Sequence, residues 1–326
     1  MPIETNFKFQ QLHPAGEQPH ALPPDFLGLL RGFVGAPKAD GKAQRTWTGS
    51  GFNMIWRPNF GNEFGPTDFF LELNFTDETL DFNDISGPTG IANRGLLQEG
   101  IFLGGVAYLQ TINDSFDNSG QHFEPGVWNN VPQTTDPSEP ATVVRMGTIP
   151  HGTTINLQGR AFEVAQPQFQ SASITPFTIG SADDAATNLI HFPEEILTNV
   201  TESRTPLANV AGLTQQQLTD PNIFLSQAIA GQTITRTVVI QVSSDSTPAG
   251  SVPDAGGGTD NTAFLVGKPP SGPNAHAPTV TSTFWIEEGT DAQGLPLLQL
   301  QYTQRVLLNF NGLSWPHITV ATLRPL

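Results

Sequence analysis

The sequence contains no cysteine among its 326 residues. That absence excludes disulfides, thiolate metal ligands, iron–sulfur clusters and cysteine nucleophiles together. Basic residues are also scarce, because Lys and Arg number 14 against 30 Asp and Glu, for a formal net charge of −16. Nucleic acids and anionic membrane surfaces are bound by clustered basic residues. We therefore expect neither a nucleic acid nor a membrane as a partner.

Long apolar runs are absent as well, since no stretch of the sequence approaches the ~18 residues that a transmembrane helix needs. The first residues lack a basic segment followed by an apolar run, so no signal peptide is expected and the cytoplasm is the expected compartment. Hydrophobic residues make up 37% of the chain. The 32 glycines and 28 prolines stay below the share that indicates disorder. A folded chain with a sizeable core is therefore predicted.

Short β-rich segments recur from about residue 45 onward, with glycine, proline, asparagine and aspartate between them. We predict strands over residues 46–56, 68–75, 79–82, 106–112, 122–130, 142–149, 153–164, 233–242, 279–286, 297–310 and 317–323. Short strands at such spacing are typical of an all-β sandwich or barrel. Because charged residues that would protect exposed sheet edges are scarce, we predict a closed antiparallel barrel of roughly ten strands.

Three regions depart from this pattern. Residues 1–44 are rich in proline and glycine, and we predict an N-terminal arm or lid there. Residues 165–232 show helical spacing in places and predict a helical insertion. Residues 243–278 are rich in serine, glycine, proline and aspartate, which predicts a long flexible loop. The expected organisation is one barrel domain over residues 45–326 that carries this insertion and this loop.

Histidines are the most informative candidates for a site, and His317 stands out among the seven. It follows Trp315 and Pro316 and opens a predicted strand. Since side chains alternate between the faces of a strand, His317, Thr319 and Ala321 share one face. The small neighbours leave room for a flat ligand to stand on the imidazole. A structural role for a single strand histidine remains the alternative.

A second set of candidates comes from the middle of the chain. His122 and Glu124 share one face of a predicted strand, and Arg145 and His151 follow on the next segments. These residue types suit a first-row metal site or acid–base catalysis, with His151, Arg145 and Glu124 as the candidate catalytic residues. Their spacing matches no metal motif, so a polar cluster that holds the mouth of the barrel remains the alternative.

Adjacent carboxylates offer little for catalysis. On a strand, neighbouring side chains point to opposite faces. We therefore interpret Asp77 and Glu78, and likewise Glu287 and Glu288, as solvated turn residues. The segment Thr76-Asp77-Glu78 is predicted to form a turn between two strands.

Several of these segments resemble the nitrobindin-type haem-binding β-barrels, relatives of the lipocalin and fatty-acid-binding-protein barrels. Trp47-Thr48-Gly49-Ser50-Gly51 looks like the W-x-G-x-G first strand of that family, and the strand at 317–323 is similar to its C-terminal His-Leu-x-Ala-x-Leu segment. The match covers about residues 45–165 and 279–324. It implies a calycin-like barrel that binds haem b, with His317 as the iron ligand.

The resemblance carries over a role for His317 alone, and the remaining haem contacts are expectations for residues beside this histidine and for His122 from the second set of candidates. Thr319 and Ala321 would flank the haem, and Trp315 and His122 are expected to contact it. The implied chemistry is that of ferric haem with nitric oxide, peroxynitrite or peroxide, as in a haem-dependent peroxidase or a peroxynitrite isomerase.

Two further hypotheses remain open. The barrel is a metal-free carrier of a fatty acid, a pigment or another apolar ligand, or it is a lipocalin-like enzyme acting on such a molecule. The expected partner is in each case a small apolar or diatomic ligand. A homodimer with the insertion at its interface is a further expectation that the sequence leaves open.

Overall fold

Ten long strands form the fold in a computed structural model of the protein. The structure describes residues 25–38, 43–93, 95–170, 173–180, 188–245, 261–265 and 276–326. The strands are β1 (Gln44–Pro58), β2 (Phe69–Asp84), β3 (Phe102–Asp114), β4 (Gly120–Val131), β5 (Thr142–Ile149), β6 (Thr153–Val164), β7 (Thr233–Ser243), β8 (Thr279–Thr290), β9 (Pro296–Phe310) and β10 (Leu313–Pro325).

The sheet closes on itself. Each strand pairs antiparallel with the next one along the chain, and β1 pairs with β10 through a register that runs from Trp47 opposite Pro325 to Ile55 opposite His317. Closure leaves none of the ten strands with an open edge, which suits a chain with few charged edge residues. The prediction of an all-β, calycin-like antiparallel barrel is confirmed.

The turn predicted at Thr76–Glu78 is wrong. Strand β2 continues through this segment, pairing with β1 and β3 on its two sides. Thr76, Glu78 and Leu80 alternate inward and are buried, whereas Asp77 is exposed. Glu287 in β8 is also fully buried. The prediction that Glu78 and Glu287 are solvated turn residues is therefore also wrong. Two adjacent acidic residues give the same sequence pattern in an exposed turn and in a strand that buries one of its faces.

One end of the barrel interior is filled by side chains and closed by a plug. The plug consists of the 3-10 turn Gly28–Leu30 and the short helix α1 (Arg31–Val34). Phe33 is fully buried and stacks on Phe82, with the ring centroids 4.3 Å apart. The indole Nε1 of Trp47 donates a hydrogen bond to the Phe33 carbonyl at 2.9 Å. The described part of the predicted arm thus closes the barrel from one end.

In the described residues between β6 and β7, the helices are all short. They are the 3-10 turn Pro193–Glu195, α2 (Gln215–Thr219) and α3 (Asn222–Ala228). Helix α2 begins with a capping box, in which the Gln217 N–H donates to the Thr214 hydroxyl. This region covers an outer face of the barrel and forms a second apolar core there, in which Leu225 packs with residues such as Trp56 and Trp315.

Much of the predicted arm and loop lies outside the described residues, namely 1–24, 39–42, 246–260 and 266–275. Within the described ranges, no helix has the length and apolar character needed to cross a membrane. The cytoplasmic location stays a prediction.

Candidate ligand-binding cavity

A cavity of about 370 Å³ opens inside the barrel at the end opposite the plug. Its walls come from inward-facing positions near the ends of the strands, because alternate residues of each strand face the interior. Its apolar lining residues are Ile55, Ile112, Ile149, Val306 and Leu308, with Phe60 and Phe310 among the aromatic ones. Its polar lining residues include Asn53, Gln110, Gln121, His122, His151, His276, Tyr302, Gln304, His317 and Thr319. The volume falls in the range of small-molecule pockets, roughly 300–1,000 Å³.

His317 lines this cavity from β10. Its Nε2 lies 2.7 Å from Asn53 Oδ1, and the Thr319 hydroxyl donates to the same oxygen at 2.9 Å. With the amide oxygen as acceptor, Nε2 carries the hydrogen and donates it. Burial lowers the pKa of His317 to about 3, and the nearby His151 and His122 lower it further. The imidazole is therefore neutral and already hydrogen-bonded on one ring nitrogen.

His122 and His151 line the cavity from other strands and turns of the barrel. Their ring centroids are 5.7 Å apart. Burial and the neighbouring His122 lower the pKa of His151. Four of the residues predicted from the sequence, His122, His151, His317 and Thr319, are thus brought to one cavity.

Arg145 and Glu124 do not line the cavity; they lie in a sealed layer of the barrel interior. Arg145 Nη2 donates to Glu124 Oε1 at 2.8 Å, and both side chains are almost fully buried. The remaining guanidinium nitrogens donate to Tyr108, Ser282 and Gln304. Burial opposes ionisation of Glu124, but Arg145, His122 and Tyr108 outweigh it and lower its pKa to about 2. The pair is therefore permanently charged, and its contacts are those of a structural ion pair.

Two residues predicted to contact a cofactor lie away from the cavity. Ala321 is buried deeper in the barrel core. Trp315 stacks on Phe310 with the ring centroids 4.6 Å apart and donates from Nε1 to the Phe310 carbonyl at 3.0 Å. The aromatic cluster under the insertion holds this indole, so Trp315 supports the rim of the cavity from behind.

The sequence interpretation missed Asn53, Gln110 and Tyr302 in the cavity lining, and it missed Glu78 behind that lining. Glu78 is 2% exposed and accepts hydrogen bonds from the Tyr302 hydroxyl at 2.6 Å and the Thr76 hydroxyl at 2.8 Å. Burial raises its pKa to about 7 despite these hydrogen bonds. Within the described residues, no arginine or lysine pairs with it. The alternation of Thr76, Glu78, Leu80 and Phe82 was the signal that could have found it.

The side chains that the structure describes do not form a metal centre with several protein ligands. Among the residues that the structure describes, no group of three or more His, Asp or Glu side chains is arranged to hold a metal ion. The first-row metal site considered for His122, Glu124 and His151 is therefore not formed by these side chains.

No protein-family model matches the sequence, and no curated protein matches it. Among solved structures, the chain is similar to the crystal structure of Rv2717c from M. tuberculosis, with 12% sequence identity and a TM-score of 0.37. That alignment covers 93% of this chain and 99% of the other. A likeness of this degree says nothing about ligand or activity. The strand pairing itself defines the class, a closed antiparallel β-barrel with a ligand-sized cavity at one end.

Proposed function

We propose that this protein is a binding barrel for a small, uncharged and largely apolar organic molecule. One observation carries the proposal. The barrel interior is filled at the plugged end and stays hollow at the other, where aliphatic walls surround a few convergent polar groups. Small-molecule sites have this composition, and barrels of this size hold one small ligand.

The charges that line the cavity favour an uncharged ligand. Arg57 Nε lies 2.5 Å from Glu72 Oε2, so the arginine that lines the cavity is already paired with a carboxylate. His317 is neutral. A ligand carboxylate would therefore lose its hydration without gaining an unpaired arginine or lysine among the described lining residues, which is costly. This favours a pigment or a similar neutral molecule over an ionised fatty acid.

Haem b is the second candidate, and His317 supports it in one respect. A neutral imidazole at a cavity wall is a good iron ligand. Its hydrogen bonding does not fit, because Nε2, the ring nitrogen farthest from the backbone, already donates to Asn53. An iron bound at Nε2 would have to take the position, in the plane of the imidazole ring, toward which this N–H bond now points. The observed arrangement of His317 and Asn53 does not fit haem ligation. The haem site and its redox chemistry therefore stay predictions.

The enzyme hypothesis keeps only part of its residues at the cavity. Glu124 and Arg145 are committed to each other in the sealed layer. His151 and His122 remain as groups that line the cavity and are able to exchange protons with a ligand.

A cavity-filling variant tests the binding function. Val306 lines the cavity and is 5% exposed, whereas Leu109 lies on the outer face of β3 and is 43% exposed. We expect the neutral probe N-phenyl-1-naphthylamine to bind the wild type with increased fluorescence. Val306→Trp should abolish this signal and Leu109→Trp should retain it. Equal binding by both variants would place the probe outside the cavity and contradict the proposal.

Titration of the same full-length protein with haemin separates the two candidates. Haem ligation by His317 would produce an intense absorption band at about 400 nm that His317→Ala removes. We expect no such band, together with a neutral organic molecule retained in native mass spectrometry. A band that depends on His317 would replace the first proposal by the second.

A further inference from the structure

Three side chains form the inner wall of the cavity in a chain of hydrogen bonds. Gln110 of β3 and Tyr302 of β9 line the cavity, and Glu78 of β2 lies behind them. Gln110 Nε2 donates to the Tyr302 hydroxyl at 2.8 Å, and that hydroxyl donates to Glu78 Oε2 at 2.6 Å. Tyr302 thus links the buried carboxyl group to the residues that line the cavity.

The protonation state of Glu78 determines whether the Tyr302 hydroxyl can donate a hydrogen bond to a ligand. A phenolic hydroxyl donates one hydrogen bond and accepts up to two. With Glu78 ionised, the single Tyr302 hydrogen is used on the carboxylate and none is left for the cavity. With Glu78 protonated on Oε2, that carboxyl group donates to Tyr302. The phenolic oxygen then accepts from Glu78 and Gln110, and its own hydrogen is free to turn toward the ligand.

A second buried carboxylate, Glu124, differs from Glu78 because it has a cationic partner. Glu124 also accepts from a tyrosine hydroxyl, that of Tyr108, but Arg145 pairs with it at 2.8 Å. A paired carboxylate stays ionised. Glu78 has hydroxyl and amide partners only, so both of its protonation states can be hydrogen-bonded.

We infer that the cavity selects a neutral ligand whose buried end is a carbonyl oxygen, as in a ketone, aldehyde or quinone, and that Glu78 controls this selection by directing the Tyr302 hydroxyl toward the ligand. The carbonyl oxygen accepts the hydrogen that protonated Glu78 sets free. The apolar remainder of the ligand lies against Ile112 and Val306. This inference rests on the proposed binding function and names its ligand class.

Three uncharged hydrogen-bond partners and one histidine face Glu78. Thr76 on its own strand, Gln110 on β3 and Tyr302 on β9 are uncharged partners, and the charged form of His122 on β4 favours ionised Glu78. The charge of Arg145 on β5 reaches Tyr302 but is compensated by Glu124. Burial raises the pKa of Glu78 to about 7. Carbonyl binding is therefore strong below this pH and weak above it.

Two matched probes test the inference with the full-length protein. 2-Acetylnaphthalene presents a carbonyl oxygen, and 2-ethylnaphthalene has nearly the same shape without it. Dissociation constants are measured by quenching of tryptophan fluorescence at pH 5.5 and pH 8.5. We expect the affinity ratio of acetyl to ethyl probe to fall about three- to tenfold across this range, the effect of one net hydrogen bond. The ethyl probe corrects for pH effects that do not involve the carbonyl.

Two variants assign the effect to its residues. Glu78→Gln keeps the shape and removes the titration, so the affinity ratio should no longer change with pH. Tyr302→Phe removes the hydroxyl, so the acetyl probe should lose its advantage at every pH. Circular dichroism at both pH values checks that each variant is folded, and the Glu78→Gln result decides alone if Tyr302→Phe fails to fold.

The other possible outcomes distinguish failure of this inference from failure of the proposed binding function. A pH-independent ratio in the wild type, or a Glu78→Gln protein that keeps the wild-type pH dependence, would overturn the inference while the binding function stands. Failure of both naphthalene probes and N-phenyl-1-naphthylamine to bind the wild type would overturn the proposed function and the inference together.

Discussion

His317 Nε2 lies 2.7 Å from Asn53 Oδ1, across the seam where β1 and β10 close the barrel. The two side chains reach this contact from neighbouring strands at inward positions, and Thr319 shares the same acceptor. Burial keeps the imidazole neutral, and the contact with Asn53 links the two strands of the seam from inside. This contact links the stability of the closed barrel to the state of one cavity residue.

Acidification should weaken the fold through His317. The pKa of this histidine is about 3 in the folded protein, against 6.5 as its ordinary value. The unfolded chain therefore binds the proton first, and stability present above pH 6.5 is lost as the pH falls toward 3. His317→Gln keeps a donor for Asn53 without the titration. In urea unfolding at pH 7, 6 and 5, we expect this variant to lose less stability with falling pH, by up to ~1.4 kcal/mol per pH unit. Parallel curves for the two proteins would contradict this.

Glu78 should act in the opposite direction. Burial raises its pKa to about 7 from 4.5, so the folded protein holds the proton more tightly than the unfolded chain. Its contribution to stability is present below pH 4.5 and is lost as the pH rises through 7. Relative to the wild type, Glu78→Gln should gain about 1–3 kcal/mol at pH 8.5 compared with pH 5. The exposed Glu288 supplies the control, because Glu288→Gln should show no such gain. Equal differences at both pH values would argue against the buried carboxyl group.

Removing Arg145 should strongly destabilise the barrel. Glu124 would stay buried without the charge that compensates it, and breaking a buried ion pair in this way costs about 3–5 kcal/mol. Arg236 offers a matched control, because its pairs with Glu163 and Glu288 lie at the surface with the arginine side chain 43% exposed. Arg145→Met should lower the free energy of unfolding by that amount and Arg236→Met by less than about 1 kcal/mol. A loss of less than about 1 kcal/mol for Arg145→Met in urea unfolding would show that Arg145 is not structural.

The plug should affect stability without affecting the cavity. Phe33 is fully buried against Phe82 at the filled end, so Phe33→Ala should cost about 3–5 kcal/mol. Leu97, which is 88% exposed, is the control, and Leu97→Ala should have almost no effect. Thermal unfolding and the binding of N-phenyl-1-naphthylamine measure the two properties separately. A folded Phe33→Ala protein that no longer binds the probe would show that the two ends are coupled.

The strands could be predicted well from the sequence because alternation and turn residues are local signals. Strand β5 (Thr142–Ile149) and strand β6 (Thr153–Val164) agree with the predicted ranges residue for residue. The break predicted in β2 failed for a physical reason. Its polar residues Thr76 and Glu78 are buried by other strands, and no local pattern reports how a buried polar group is hydrogen-bonded.

The site could be predicted only in part. His317 and Thr319 were found because alternation on one strand fixes the face that they share. The sequence could not show that His151 lines the cavity whereas Arg145 lies in the sealed layer. Both residues face the barrel interior, and they differ only in their depth along the barrel axis. The partners of Glu78 come from β3 and β9, far away in the sequence, so only the closed barrel brings them together.

The filled half of the barrel affects where the protein can tolerate amino-acid substitutions. The plug and the Glu124–Arg145 layer fill the barrel below the cavity, so wall residues that contact neither member of this pair, such as Ile55, are under weaker constraint from folding. Substitutions at the open end therefore have room to alter which molecule is accepted while the scaffold persists. The molecule is suited to laboratory redesign of its specificity, with the lower half left untouched.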